Sequence, residues 1–344
     1  MQLKNLSKWI ALFAAIVLVV LLILHNTLKP KTYQKTVFAL NTVVTVTVYG
    51  ENGERYADDA IKIVTDAEKV FSAHRQDSEL AQLNTNHKTG VPYPVSDELF
   101  GVLEAAQALS EKTQGKFDIT IKPVADAWSI TENPHVPSAE ALSSALEKVD
   151  YKSLVLNKED KTVTLLLPGM QLDLGGIAKG YVADKIAAHL TNAGAQGAVL
   201  DLGGNIIVFG KQTDGFKIGI QTPFADSGSY TVIYKALSDT QTTIVTSGAY
   251  ERNFEQDGIL YHHILDPYTG YPHNGTIESV SVIGTSSMHA DALSTYLFML
   301  SPEDAMAFAK SEGFDVLIQT KDKKIYTTLD KSAYEIADKS YTLQ

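Results

Sequence analysis

The 344 residues include 29 Lys and Arg against 40 Asp and Glu, a net charge of −11 at pH 7, and no cysteine. Disulfides, thiolate metal sites and thiol catalysis are therefore excluded, and an acidic chain with no long basic or basic-aromatic run argues against a nucleic-acid partner. The length exceeds a typical domain of about 100–200 residues and fits one large catalytic unit or two closely packed halves.

Residues 1–8 contain Lys4 and Lys8, and the stretch 9–28 that follows is almost purely apolar, with no formally charged residue other than the titratable His25. A helix of about twenty residues spans the bilayer core of ~30 Å. The preceding lysines keep residues 1–8 in the cytoplasm, and the lack of an Ala-x-Ala site predicts an uncleaved anchor. On this reading the protein is a single-pass cell-membrane protein. A basic linker over 29–36 leads to an extracytoplasmic catalytic domain over 37–344.

Val44 to Val48 alternates apolar and polar residues and is wholly β-branched, which predicts a strand. A helix is expected over 56–71, with Ala60, Ile63, Val64, Ala67 and Phe71 on one face. Ser96 caps a second over 98–113, where Phe100, Leu103, Ala106 and Leu109 recur at helical spacing. Gly115 to Thr120 opens an extended segment that continues irregularly from Pro123 through Trp128. Ser138 starts a short acidic helix, and 153–157 with 162–167 form a hairpin. An apolar run puts a strand end near Asp173 and a helix over 179–192. A strand over 197–202 ends in Gly203-Gly204-Asn205.

Two distant runs carry the chemistry. The first is Leu172-Asp173-Leu174-Gly175-Gly176-Ile177-Ala178-Lys179-Gly180-Tyr181, a glycine turn feeding a helix start, an arrangement that favours phosphate oxygens. Gly175 and Gly176 are expected to allow positive φ and close backbone approach, and Lys179 supplies a point charge. The second is Ala290-Asp291-Ala292-Leu293-Ser294-Thr295, which puts a carboxylate and a hydroxyl on one helix face. Hard oxygen ligands of this kind suit Mg²⁺. Singly, each run also fits a plain tight turn or an early-helix carboxylate; their conjunction makes a magnesium and pyrophosphate site. If 260–265 is a strand, His262 and His263 face opposite sides and only one enters a given site; a neutral imidazole there is a candidate proton acceptor.

With these motifs in order, together with Phe71-Ser72 to Asn84, Gly115 to Thr120, Leu202 to Asn205, Thr246 to Tyr250 and His263 to Gly270, the chain resembles the ApbE family of FAD:protein FMN transferases from about Ala39 to Leu300. The resemblance implies an α+β fold of two interlocked lobes with mixed, largely antiparallel sheets. It implies Mg²⁺ held by the Gly176 carbonyl, Asp291 and Thr295, and FAD, as substrate, contacted by Leu40, His74, Lys116, Phe117, Asp118, Asp173, Lys179, Ile264 and Leu265. His263 matches the family's proposed base. Two positions depart from the family's pattern: Leu40-Asn41-Thr42 replaces Met-Gly-Thr, and His74 replaces an aromatic Tyr or Trp. The implied reaction moves FMN from FAD to a threonine hydroxyl of an acceptor flavoprotein in a membrane-associated electron-transfer system, and releases AMP. Two alternatives stay open at this point: an Mg²⁺-dependent FAD pyrophosphatase, and a surface protein that binds FAD without chemistry.

Overall fold

Val44, Val46 and Val48 are fully buried on one face of the strand Thr42–Tyr49, each such burial contributing roughly 1.5–3 kcal/mol relative to exposure. The computed structural model describes residues 31–210, 215–237 and 240–344, together with Val17. The anchor expected at 9–28 therefore lies, apart from Val17, outside the described residues, and no helix among those described is long and apolar enough to cross a membrane. The strand Thr32–Ala39 begins inside the stretch expected to be a linker over 29–36. Its polar outer residues hide the pattern, because it pairs along its whole length with Thr42–Tyr49 at the edge of the sheet.

A nine-stranded sheet organises the molecule. Its order is Thr32–Ala39, Thr42–Tyr49, Gly197–Leu202, Asn205–Gly210, Thr242–Gly248, Ile277–Gly284, Asp315–Thr320, Lys324–Thr327 and Thr342–Leu343. Neighbours are antiparallel except the last pair. Because side chains alternate along a strand, adjacent residues serve opposite cores. Ile207, Val245, Val282 and Val316 face a helical layer, whereas Val208, Ile244, Ile283 and Leu317 face a three-stranded sheet of Phe216–Gln221, Tyr230–Ala236 and Tyr334–Ile336.

The helical layer includes Gly53–Phe71, Asp97–Lys112, Ala178–Asn192 and Ser287–Phe298. Ser96 and Ser138 cap their helices as expected, accepting from Leu99 N and Ala141 N. The segment from Pro123 to Trp128, expected to be irregular, lies in a helix, Lys122–Trp128, with the proline in its first turn. Proline is pre-organised for that position, and seven residues are too few to show a helical period. No strand ends at Asp173; the approach to it makes only an isolated bridge between Ile121 and Gln171.

Outside the main core, Trp128 packs against Tyr261 (centroids 5.2 Å), Tyr271 (5.5 Å) and Phe254 (6.4 Å) and donates to the Gly270 carbonyl. Phe254 and Tyr261 stack across the two-stranded hairpin Asn253–Gln256 and Ile259–His262.

Helices Ala178–Asn192 and Ser287–Phe298 cap one another. Asp184 accepts from Ser287 N and Met288 N at the start of the second helix, and Asp291 accepts from Gly180 N at the start of the first. Gly180 permits the approach: a Cβ there would lie 2.2 Å from the Ser287 carbonyl oxygen and 2.8 Å from the Asp291 Cβ. Gly180→Ala must push backbone apart and is expected to cost about 1–3 kcal/mol. Thermal unfolding measures this, and an unchanged Tm would show that the helices yield freely.

Candidate active site

The two motif halves meet in a cleft of about 590 Å³. Asp173 N donates to the Ile119 carbonyl, and its Oδ1 accepts from Gly175 N at 2.6 Å, an Asx-type turn that fixes the glycine bend. Neither Gly175 nor Gly176 adopts positive φ, so the expected reason for these glycines is corrected. What Gly176 needs is room: a Cβ would stand 3.3 Å from Thr295 Oγ1 and 3.4 Å from the Phe117 ring.

Lys179 Nζ donates to the Gly175 carbonyl at 2.9 Å and lies 3.5 Å from Asp291 Oδ1. Asp291 is 4% exposed. One helical turn on, Thr295 Oγ1 makes no hydrogen bond to any described residue, whereas the adjacent Ser294 hydroxyl donates to the Asp291 carbonyl and meets Ser247 Oγ. The glycine turn, the carboxylate and an uncommitted hydroxyl therefore share one face of the cleft.

His262 and His263 do point opposite ways. His262 is buried against the edge of Phe298, its Nε2 donating to the His273 carbonyl and its Nδ1 accepting from Ile264 N. His263 lines the cleft. Its Nδ1 faces the Arg252 carbonyl at 3.3 Å; a carbonyl can only accept, so Nδ1 carries the hydrogen and Nε2 keeps a lone pair. Burial first, then the charge of Arg252, holds the pKa of His263 down to about 3, so the ring is neutral at physiological pH.

His74, Lys116, Phe117, Asp118, Asp173, Lys179, Ile264 and Leu265 all line the same cleft. Asp118 is engaged in holding the loop: Oδ1 takes Thr120 N and Oγ1, and Oδ2 takes Tyr151 N. Burial raises its pKa, and these bonds oppose the rise. His74 sits at the exposed rim, 3.5 Å from Glu132. Leu40 is not among the lining residues. Its side chain packs on the core while Asn41, next in a turn with both residues at positive φ, takes the lining position.

The pattern that defines the ApbE family matches residues 40–318. The chain belongs to the ApbE family. An FAD:protein FMN transferase of Treponema pallidum is 35% identical over 318 residues, spanning 86% of this chain and 87% of that protein. One from Klebsiella pneumoniae is 32% identical over 320 residues, covering 90% of this chain and 98% of the relative. The crystal structure of an ApbE protein from Thermotoga maritima superposes with a TM-score of 0.77 at 30% identity, covering 86% of this chain and 96% of that one. The fold is thus the α+β ApbE fold, with mixed and mostly antiparallel sheets.

Glu251, Arg252 and Asn205 are among the polar residues of this ApbE cleft that sequence reasoning passed over. Glu251 and Arg252 follow directly on the Thr246–Tyr250 run, and Asn205 ends the Leu202–Asn205 run. Glu251 lines the cleft, where desolvation pushes its pKa up and Lys179 and Arg252 pull it down against that rise. Its place beside two cations was the one available signal, and it is a spatial one.

The buried histidine gives a pH prediction. Burial lowers the His262 pKa to about 4 from an ordinary 6.5. Between those values the unfolded chain binds a proton that the folded one refuses, so this group contributes stability above pH 6.5 that is lost as pH falls towards 4. His262→Gln is expected to make unfolding free energy less steep with pH in that window, as followed by denaturant titration. An unaltered slope would show that His262 is not the group resisting protonation.

Proposed function

We infer that this enzyme, an FAD:protein FMN transferase by family and by its relatives, transfers FMN to a threonine hydroxyl of an acceptor flavoprotein, with Mg²⁺, and releases AMP. The observation that carries this reading is the His263 imidazole, neutral, with its free Nε2 in the same cleft as Asp291, Thr295 and the Gly176 turn. Binding alone needs no such base.

Among the described residues no three His, Asp or Glu side chains group as a metal site. One carboxylate, one hydroxyl and a backbone carbonyl instead form an all-oxygen set that leaves positions for water and phosphate, as Mg²⁺ prefers. The free Thr295 hydroxyl supports the fit. When bound, the metal supplies neutralisation of charge on the pyrophosphate. Lys179 would add a second positive charge, its Nζ lying 3.5 Å from Asp291 Oδ1, and Asp291 is itself fixed by accepting from Gly180 N.

His263 Nε2 takes the proton of the threonine hydroxyl as its oxygen bonds to the FMN phosphorus. The bond from that phosphorus to the bridging oxygen breaks, and the electron pair leaves with AMP. Negative charge of the bound pyrophosphate raises the imidazole's proton affinity, opposing Arg252 and Lys179. The acceptor is read as a flavin-carrying subunit of a membrane-associated electron-transfer system, reached by a catalytic domain held outside the cytoplasm by the apolar stretch 9–28.

The test is mass spectrometry of a threonine-bearing acceptor domain after incubation with the protein, FAD and Mg²⁺. The expected product is the acceptor heavier by FMN less water, with one AMP released per label. AMP and free FMN without labelling would favour the pyrophosphatase, and intact FAD the non-catalytic binder.

A further inference from the structure

Beyond the base and the metal-side residues, the hairpin that carries the neutral imidazole also brings a charged group to the cleft. In it Asn253 pairs with His262, so Arg252 and His263 are the next residues facing each other across it. The backbone supports this: His263 N donates to the Arg252 carbonyl at 3.1 Å, and His263 Nδ1 meets the same oxygen. Directly opposed residues project to one face with Cβ atoms about 4.5–5.5 Å apart. That face is the cleft, which both residues line.

The guanidinium is almost uncommitted. Nη2 donates to the Asn41 carbonyl at 3.2 Å, and no carboxylate of the described residues lies within ion-pair distance. The other cleft cations differ: Lys122 is paired with Asp126, and Lys179 shares its charge with Asp291. Among the described residues Lys116 also lacks an ion pair, but it belongs to the Gly115–Thr120 turn and not to the hairpin that carries the base. The field of Arg252 is felt locally: it adds to burial in lowering the pKa of His263, and at Glu251 it opposes the rise that burial causes.

We propose that Arg252 is a catalytic residue whose free guanidinium N–H groups bind the oxygens of the phosphate under attack, beside the imidazole that deprotonates the incoming hydroxyl. The proposal rests on the FMN-transfer reading. A planar fork of donors matches two phosphoryl oxygens at once, which a lysine cannot do. Charge building on those oxygens as the new P–O bond forms is met by a donor already tethered in place by Asn41, so little reorganisation is needed. The same charge adds to burial in keeping His263 unprotonated and able to accept a proton.

The test compares wild type with Arg252→Gln and Arg252→Lys in two measurements. One is steady-state FMN transfer to a threonine-bearing acceptor. The other is equilibrium binding of FAD and of riboflavin, which lacks phosphate, followed by flavin fluorescence. R252Q is expected to lower kcat by about 10²-fold and weaken FAD binding about tenfold, with riboflavin binding unchanged. R252K keeps the charge and one donor for Asn41, and should recover FAD affinity better than kcat. Wild-type turnover in R252K, or FAD and riboflavin weakened alike in R252Q, would overturn the proposal and leave Arg252 a brace for the Asn41 turn. Should wild type itself release no AMP, the transferase reading fails, while the FAD-against-riboflavin contrast still decides whether Arg252 grips phosphate.

Discussion

Replacing His263 with alanine is expected to slow FMN transfer by about 10²–10⁴-fold, the usual contribution of a positioned general base, while leaving FAD binding close to wild type. The reasoning is geometric. Nδ1 is committed to the Arg252 carbonyl, so Nε2 is the only ring nitrogen able to accept a proton. With its pKa lowered to about 3, the ring is neutral throughout the working range. A group depressed in this way loses its accepting form only as pH falls towards that value, so kcat/KM should show no histidine limb between about pH 6 and 8. Rate measurements across that range check both parts. A variant as fast as wild type, or a wild-type rate that falls with a midpoint near 6.5, would remove His263 from this role.

Asp291→Asn and Asp291→Ala are expected to separate the two jobs of this carboxylate. Both lose the only anionic ligand of the proposed metal set, and transfer should fall by about 10²-fold or more with a raised Mg²⁺ requirement. They should differ in stability. The asparagine amide keeps an oxygen that can accept from Gly180 N, whereas alanine leaves that helix-start N–H unpaired, a loss of about 1–2 kcal/mol by analogy with cap removal. Mg²⁺ titrations of rate, set beside thermal melts, decide the matter. An asparagine variant with the wild-type Mg²⁺ midpoint would show that the cation is held elsewhere.

Much of the scaffold was legible because its signals are local. The alternation at Val44–Val48 and the serine caps at Ser96 and Ser138 each act within a few residues, and each element formed within one to three residues of its expected position. The bipartite site was legible for a similar reason: Asp291 and Thr295 share a helix face by spacing alone. What escaped notice is set by partners far away in the chain. Gly176 is small because of Thr295, and Gly203 because a Cβ there would collide with Thr42. Arg252 enters the site by facing His263 across a hairpin, a relation no linear window contains. Lys122–Trp128 was missed because its one strong local signal, Pro123, reads equally as a breaker and as a first-turn residue.

The two-stranded hairpin that ends in Arg252 and His263 has little strength of its own, since an isolated pair of strands is marginal in water. Its aim is set by Trp128, wedged beneath Phe254 and Tyr261 and pinned by Gly270. The indole is thus the heel of a lever whose toe is the imidazole. Under the proposed mechanism, a change in that aromatic footing would alter how squarely an acceptor hydroxyl meets phosphorus without altering any group proposed to touch flavin.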